Sequence, residues 1–171
     1  MRKLLYRTAT GLAAVTVAVL SFAVPAHAAS IVRYAIDDGS QSKCLQAVNQ
    51  SDARASLGDC RTMRANEWKV EDKTNPAISP NTMVKLVNQG NNRCLDSYTN
   101  STSTVVYAIG CNTGNNQLWE VFFNSDGSRT FKSWGSWKSK GTHLCLYWDV
   151  NIATLATCNA NAAHQQWIRQ A

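Results

Sequence analysis

The chain has 171 residues, 44% of them hydrophobic, and carries 17 Lys and Arg against 11 Asp and Glu, a net charge of +6. The length fits one domain able to bury a sizeable core. Three of the basic residues, Arg2, Lys3 and Arg7, sit at the extreme N-terminus, so the remainder carries only +3, too mild a charge to argue for a nucleic-acid partner.

Behind those cations an Ala/Val/Leu-rich run of 14 residues extends from Gly11 to Val24 and ends in Pro25-Ala26-His27-Ala28. A basic start, a short apolar stretch and Ala-x-Ala read as a secretory signal peptide over residues 1–28. A bilayer needs about 20 apolar residues, so no membrane span is expected. Cleavage after Ala28 takes 28 residues from 171 and leaves one domain of 143, residues 29–171, in a secreted, extracellular protein. All six cysteines lie there, in a compartment where disulfides form and persist.

In chain order, Ile31 to Ile36 reads as an opening strand, stopped by the turn-forming Asp37-Asp38-Gly39-Ser40. Cys44 to Val48 is a second short strand, Ala55 to Leu57 leads into Cys60, and Trp68-Lys69-Val70 alternates as a half-buried strand does. Thr74 to Thr82, with Pro76 and Pro80, is a break. Met83 to Val87 opens the next set, Asn88 to Asn92 turns, and Thr104 to Ile109 is β-branched and apolar enough for a strand. Val121 to Phe123 and Ser128 to Phe131 flank Asn124-Ser125-Asp126-Gly127, an Asp-Gly hairpin signal. No window has a helical period, and even the Ala-rich Ala153 to Ala163 is interrupted by Thr, Asn and Cys158. The expectation is all-β.

The segments repeat. Cys44-Leu45, Cys94-Leu95 and Cys145-Leu146 stand 50 and 51 residues apart, each followed by a second cysteine (Cys60, Cys111, Cys158) and then by Trp68, Trp119 or Trp167, spaced 51 and 48. Two residues before each tryptophan stand Asn66, Gln117 and Gln165. Such a period marks repeated supersecondary units. Six cysteines permit 15 pairings. The gaps of 16, 34, 17, 34 and 13 alternate in step with the repeat and point to Cys44–Cys60, Cys94–Cys111 and Cys145–Cys158. A zinc site would need close pairs such as C-x-x-C, and none exists, so no metal or cofactor is expected.

Three copies of Cys-Leu, a second Cys and a Gln-x-Trp motif, with Asn66 departing from the Gln in the first copy, resemble the ricin B-type lectin family over nearly all of the exported chain. The resemblance implies a β-trefoil of three pseudo-threefold repeats, with one disulfide in each and the three tryptophans packed where the lobes meet. It also implies a glycan or polysaccharide partner. The family signature is an Asp two residues after the first Cys, an aromatic two before the second, and Asn-Gln leading into the Trp. A carboxylate and amides can bond adjacent hydroxyls while a ring covers the less polar sugar face.

The middle copy supplies Asp96, Asn116 and Gln117 but has Ile109 at the aromatic position. Tyr107, two residues earlier on the same strand, faces the same side and is a candidate replacement; packing at a lobe boundary is the other reading. Tyr98 is a further candidate wall, and Asp96 has the alternative of capping a turn. The other copies look degenerate, with Gln46 and Tyr147 at the Asp position and Gly58 and Ala156 at the aromatic one. Trp148 and Asp149 could form a displaced site, or simply belong to a solvated loop.

Lys132 to Lys140 sets Trp134 and Trp137 among three lysines, either an exposed aromatic patch or one buried and one surface ring. Catalysis finds no support: Gly-x-Ser-x-Gly, His-Glu-x-x-His and a phosphate-binding glycine loop are all missing, and Glu67, Glu71 and Glu120 form no connected carboxylate pair. Only His143 and His164 follow the leader. Asn49-Gln50-Ser51 and Asn100-Ser101-Thr102 match the glycosylation acceptor pattern. The expected function is non-catalytic carbohydrate binding, with action through protein contacts, as a toxin subunit or inhibitor, as the alternative.

Overall fold

The computed structural model describes residues 30–37, 42–47, 53–61, 63–77, 79–99 and 104–170. The leader and both glycosylation motifs lie wholly or mainly outside them. Twelve strands fall into three sets of four: β1 Ser30–Asp37, β2 Ser42–Gln46, β3 Ser56–Asp59 and β4 Trp68–Asp72; β5 Thr82–Asn88, β6 Arg93–Asp96, β7 Tyr107–Gly110 and β8 Trp119–Phe123; β9 Arg129–Ser133, β10 Leu144–Asp149, β11 Ile152–Thr157 and β12 Ile168–Gln170.

The first and last strands of each set close a six-stranded antiparallel barrel. β1 pairs with β4, β4 with β5, β5 with β8 and β8 with β9, and β12 returns to β1. The seam is sealed by reciprocal bonds of 2.8 Å between the backbones of Arg129 and Trp167. The inner pairs β2–β3, β6–β7 and β10–β11 form hairpins over one end of the barrel. This is a β-trefoil.

The pseudo-threefold axis is marked by a closed ring of backbone hydrogen bonds. The Ala55 N–H donates to Val106 C=O (2.9 Å), Val106 N–H to Ala153 C=O (3.0 Å) and Ala153 N–H to Ala55 C=O (3.0 Å). All three residues are fully buried, and their small or compact side chains allow three backbones to meet.

Each tryptophan repeats one contact. The indole N–H of Trp68, Trp119 and Trp167 donates to the carbonyl of Leu45, Leu95 and Leu146, at 3.0, 3.1 and 3.2 Å. The Cys-Leu pair and the distant Trp are therefore two ends of one bond, which explains why they recur together. Burying a ring of about 150–250 Å² at about 25 cal/mol per Å² stabilises by roughly 4–6 kcal/mol before entropy is charged. The disulfides join Cys44–Cys60, Cys94–Cys111 and Cys145–Cys158, one within each repeat.

One expectation is corrected. Trp134–Lys140 is an α-helix, α1. The Ser133 side chain caps it by accepting from the Ser136 N–H, and Gly141 ends it in the left-handed conformation at φ +64°. Seven residues make under two turns, too few for a period to show.

Candidate functional site

The hairpin β6–β7 places Asp96 directly opposite Tyr107, so the two side chains leave the sheet on one face. A single 3-10 turn, Asn115–Gln117, then brings Asn116 beside Asp96, and both line a depression of about 330 Å³. Its far wall is α1, through Gly135, Lys138 and Ser139. Asn112 and Asn115 complete the polar lining.

Asp96 is only 2% exposed. Its Oδ1 accepts from the Tyr98 N–H at 2.8 Å. Burial pushes its carboxyl above the usual Asp range, with the Tyr98 N–H and the Gln117 amide pulling the other way. Asp96 thus organises a turn and lines the depression. Asn116 is anchored by its backbone carbonyl, which accepts from Ser97 N (2.9 Å) and Ser97 Oγ (2.9 Å). Its Oδ1 accepts from Thr99 Oγ1 at 3.1 Å, and Thr99 Oγ1 lies 3.0 Å from Ser139 Oγ. The wall and the amide belong to one network.

α1 sits this close because residue 135 is glycine. A Cβ there would lie 2.2 Å from Asn116 Oδ1 and 2.8 Å from its Cα. The lysine-flanked aromatics divide: Trp134 is buried, with the Lys138 ammonium 5.3 Å from its ring, while Trp137 is 39% exposed and stacks on His143 at 4.3 Å.

Gln117 does not face the depression. It is fully buried; its Nε2 donates to Gly110 C=O (3.0 Å) and its Oε1 accepts from the Asn112 N–H (2.8 Å), the residues flanking Cys111. Gln165 makes the same pair of bonds around Cys158, to Thr157 C=O and from the Asn159 N–H, both at 2.9 Å. Asn66 holds the carbonyls of Asp59 and Arg61 around Cys60. Gln117 therefore braces the loop that carries Asn112, and its amide also bonds the Asp96 carboxyl, so it reaches the depression through Asp96. Tyr107 does not line the depression either; its ring is half-buried and packs edge-on against exposed Tyr98 at 5.5 Å.

The equivalent places in the other repeats are filled by their own side chains. Gln46 folds across Gly58, where a Cβ would fall 1.7 Å from its Nε2. Tyr147 and His164 close on each other at 5.3 Å in the third repeat, with His164 also 4.9 Å from Trp148. Trp148 is buried, its indole N–H donating to Val150 C=O, so it offers no platform beside Asp149. Among the described residues no group of three His, Cys, Asp or Glu is placed to hold a metal ion, and no helix is long and apolar enough to cross a membrane.

No protein-family model matches the sequence, and no curated protein does. Solved structures match the fold. ThreeFoil, a designed threefold-symmetric protein, superposes with a TM-score of 0.63 at 18% identity, over 80% of this chain and 96% of that one. A Polyporus squamosus lectin, solved with the epitope Neu5Aca2-6Galb1-4GlcNAc, gives 0.65 at 16% over 83% of this chain, which spans 49% of the lectin. A Haemophilus ducreyi cytolethal distending toxin chain gives 0.57 at 15%, over 80% of this chain and 81% of that one. The chain is a β-trefoil protein whose structural neighbours include lectins and toxins.

Proposed function

We propose that the chain is a secreted, non-catalytic carbohydrate-binding protein of the ricin B-type lectin kind, with its principal site in the middle repeat. The observation that carries this reading is the depression lined by Asp96 and Asn116, whereas among the described residues Gln46 and the Tyr147–His164 pair occupy the equivalent places of the other two repeats. The Asp96 carboxylate accepts from sugar hydroxyls, and the Asn116 amide N–H₂, without a partner among the described residues, donates to one. Lys138 adds a cation to the rim. Tyr98, 46% exposed, flanks the turn after Asp96 and is better presented for stacking than half-buried Tyr107. The glycan bound by the Polyporus lectin supports the class of partner and not the particular sugar.

A glycan-array screen of the protein beside Asn116→Ala tests the reading. Binding by the parent, lost in the variant, is expected. No glycan bound by the parent would favour the second reading, a trefoil acting through protein contacts, which two filled sites and the likeness to a toxin chain support.

A further inference from the structure

A larger cavity lies elsewhere. A cup of about 890 Å³ opens where β1 and β5 begin and β4, β8 and β12 end, the barrel mouth away from the hairpins. All six barrel strands wall it. Its floor is apolar, built from Val70, Val84, Val121 and the ring of Tyr34, because alternate barrel residues point inward. Its rim is charged, and the two sides differ.

On one side Glu71 is shared by Lys69 (3.0 Å) and Lys73 (3.1 Å), next to Asp72. On the other stand Arg129 and Arg169, neither with a carboxylate at ion-pair distance among the described residues; the Arg129 guanidinium rests 5.3 Å from the Phe123 ring. Both reach the floor electrostatically: burial raises the Tyr34 phenol, and Arg129 and then Arg169 draw it back down.

We propose that this cup binds a small amphiphilic anion, its apolar body seated on Tyr34, Val84 and Val121 and its carboxylate or sulfonate held by Arg129 and Arg169. Two cations at one lip of an apolar hollow match a single oxyanion, which a guanidinium bonds with two parallel N–H groups. The volume is that of a small-molecule site. A neutral sugar would find no convergent amides on this floor, and a protein partner needs a broader face than a hollow of this size gives.

The test is a fluorescence titration of the intact protein with 8-anilinonaphthalene-1-sulfonate, followed by displacement with dodecanoate or uncharged dodecanol. Saturable binding at one site is expected, displaced by dodecanoate and not by dodecanol at the same concentration. Arg129→Gln and Arg169→Gln should each weaken both anions about ten-fold, as loss of a charge-assisted bond does. Val121→Trp, which fills the floor, should abolish binding, whereas Asp96→Asn should leave it unchanged. Arg169 is exposed, so its variant reports on the anion even if the Val121 variant melts. The proposal is overturned if the parent binds neither anion, if the two arginine variants bind as tightly as the parent, or if dodecanol competes equally.

Discussion

Val150 stands at φ +54°, in the left-handed region that a β-branched side chain enters only at a cost of about 1–2 kcal/mol. It is exposed, and its backbone carbonyl, not its side chain, receives the Trp148 indole N–H. Val150→Gly therefore removes strain without removing a contact, and should raise stability by about 1 kcal/mol, read as a higher urea midpoint with unchanged slope. Asp96 carries the opposite kind of cost. Its folded-state pKa lies above the unfolded one, so its contribution to stability is present in acid and is lost as pH rises through the folded value. At neutral pH the charged carboxylate is a burden on the fold, and Asp96→Asn should melt no lower than the parent. Sugar affinity has the reverse dependence: it needs the charge, and should fall on acidification at a higher pH than an ordinary Asp would give.

The helix α1 shows what one glycine permits. Gly135→Ala would drive a methyl into the Asn116 backbone, so it should push the wall off the depression, weaken glycan binding more than Asn116→Ala does, and lower the melting temperature. A second junction ties β8 to its neighbours: Glu120 receives Ser79 Oγ and Asn81 Nδ2 at 2.6 Å each and pairs with the Lys132 ammonium from β9. Burial pushes its carboxyl up, but these three partners outweigh that and hold it below the usual range. Its stabilisation is present above the unfolded-state pKa and lost as pH falls through the folded one. Glu120→Gln leaves Lys132 uncompensated, should cost about 3 kcal/mol at neutral pH, and should flatten the acid limb of the stability profile. The strands were legible because alternation and turn residues are local signals, as in Ile31 to Ile36 and Asn124 to Gly127. α1 was not, because caps at Ser133 and Gly141 define it rather than a period. Nor was the inward turn of Gln117, which depends on where the Cys111 loop lies.

Threefold repetition gives the molecule its closure, and its middle repeat carries the depression beside Asp96. The Trp-to-Leu bonds, the Ala55–Val106–Ala153 ring and the amide braces at residues 66, 117 and 165 recur in every lobe, which is why Cys-Leu and Gln-x-Trp could be read as repeats. The positions free of those duties have diverged: Gln46 and Tyr147 fill what Asp96 leaves open. The barrel-mouth cup joins residues from Ser30 to Arg169 and carries no local signature at all. Three disulfides, each closing a loop of roughly 15 residues, contribute about 3 kcal/mol apiece on the chain-entropy estimate. Unreduced digestion should release three linked peptide pairs, each from one repeat; a pair joining two repeats would contradict the fold. The most direct measurement is a calorimetric titration of Asp96→Asn against the glycan that the parent binds, run beside a thermal melt. The account predicts affinity at least ten-fold weaker, since a charge-assisted bond contributes about 1.5–3 kcal/mol, with a melting temperature no lower than the parent's. Equal affinity in parent and variant would contradict it and place the sugar elsewhere on the molecule.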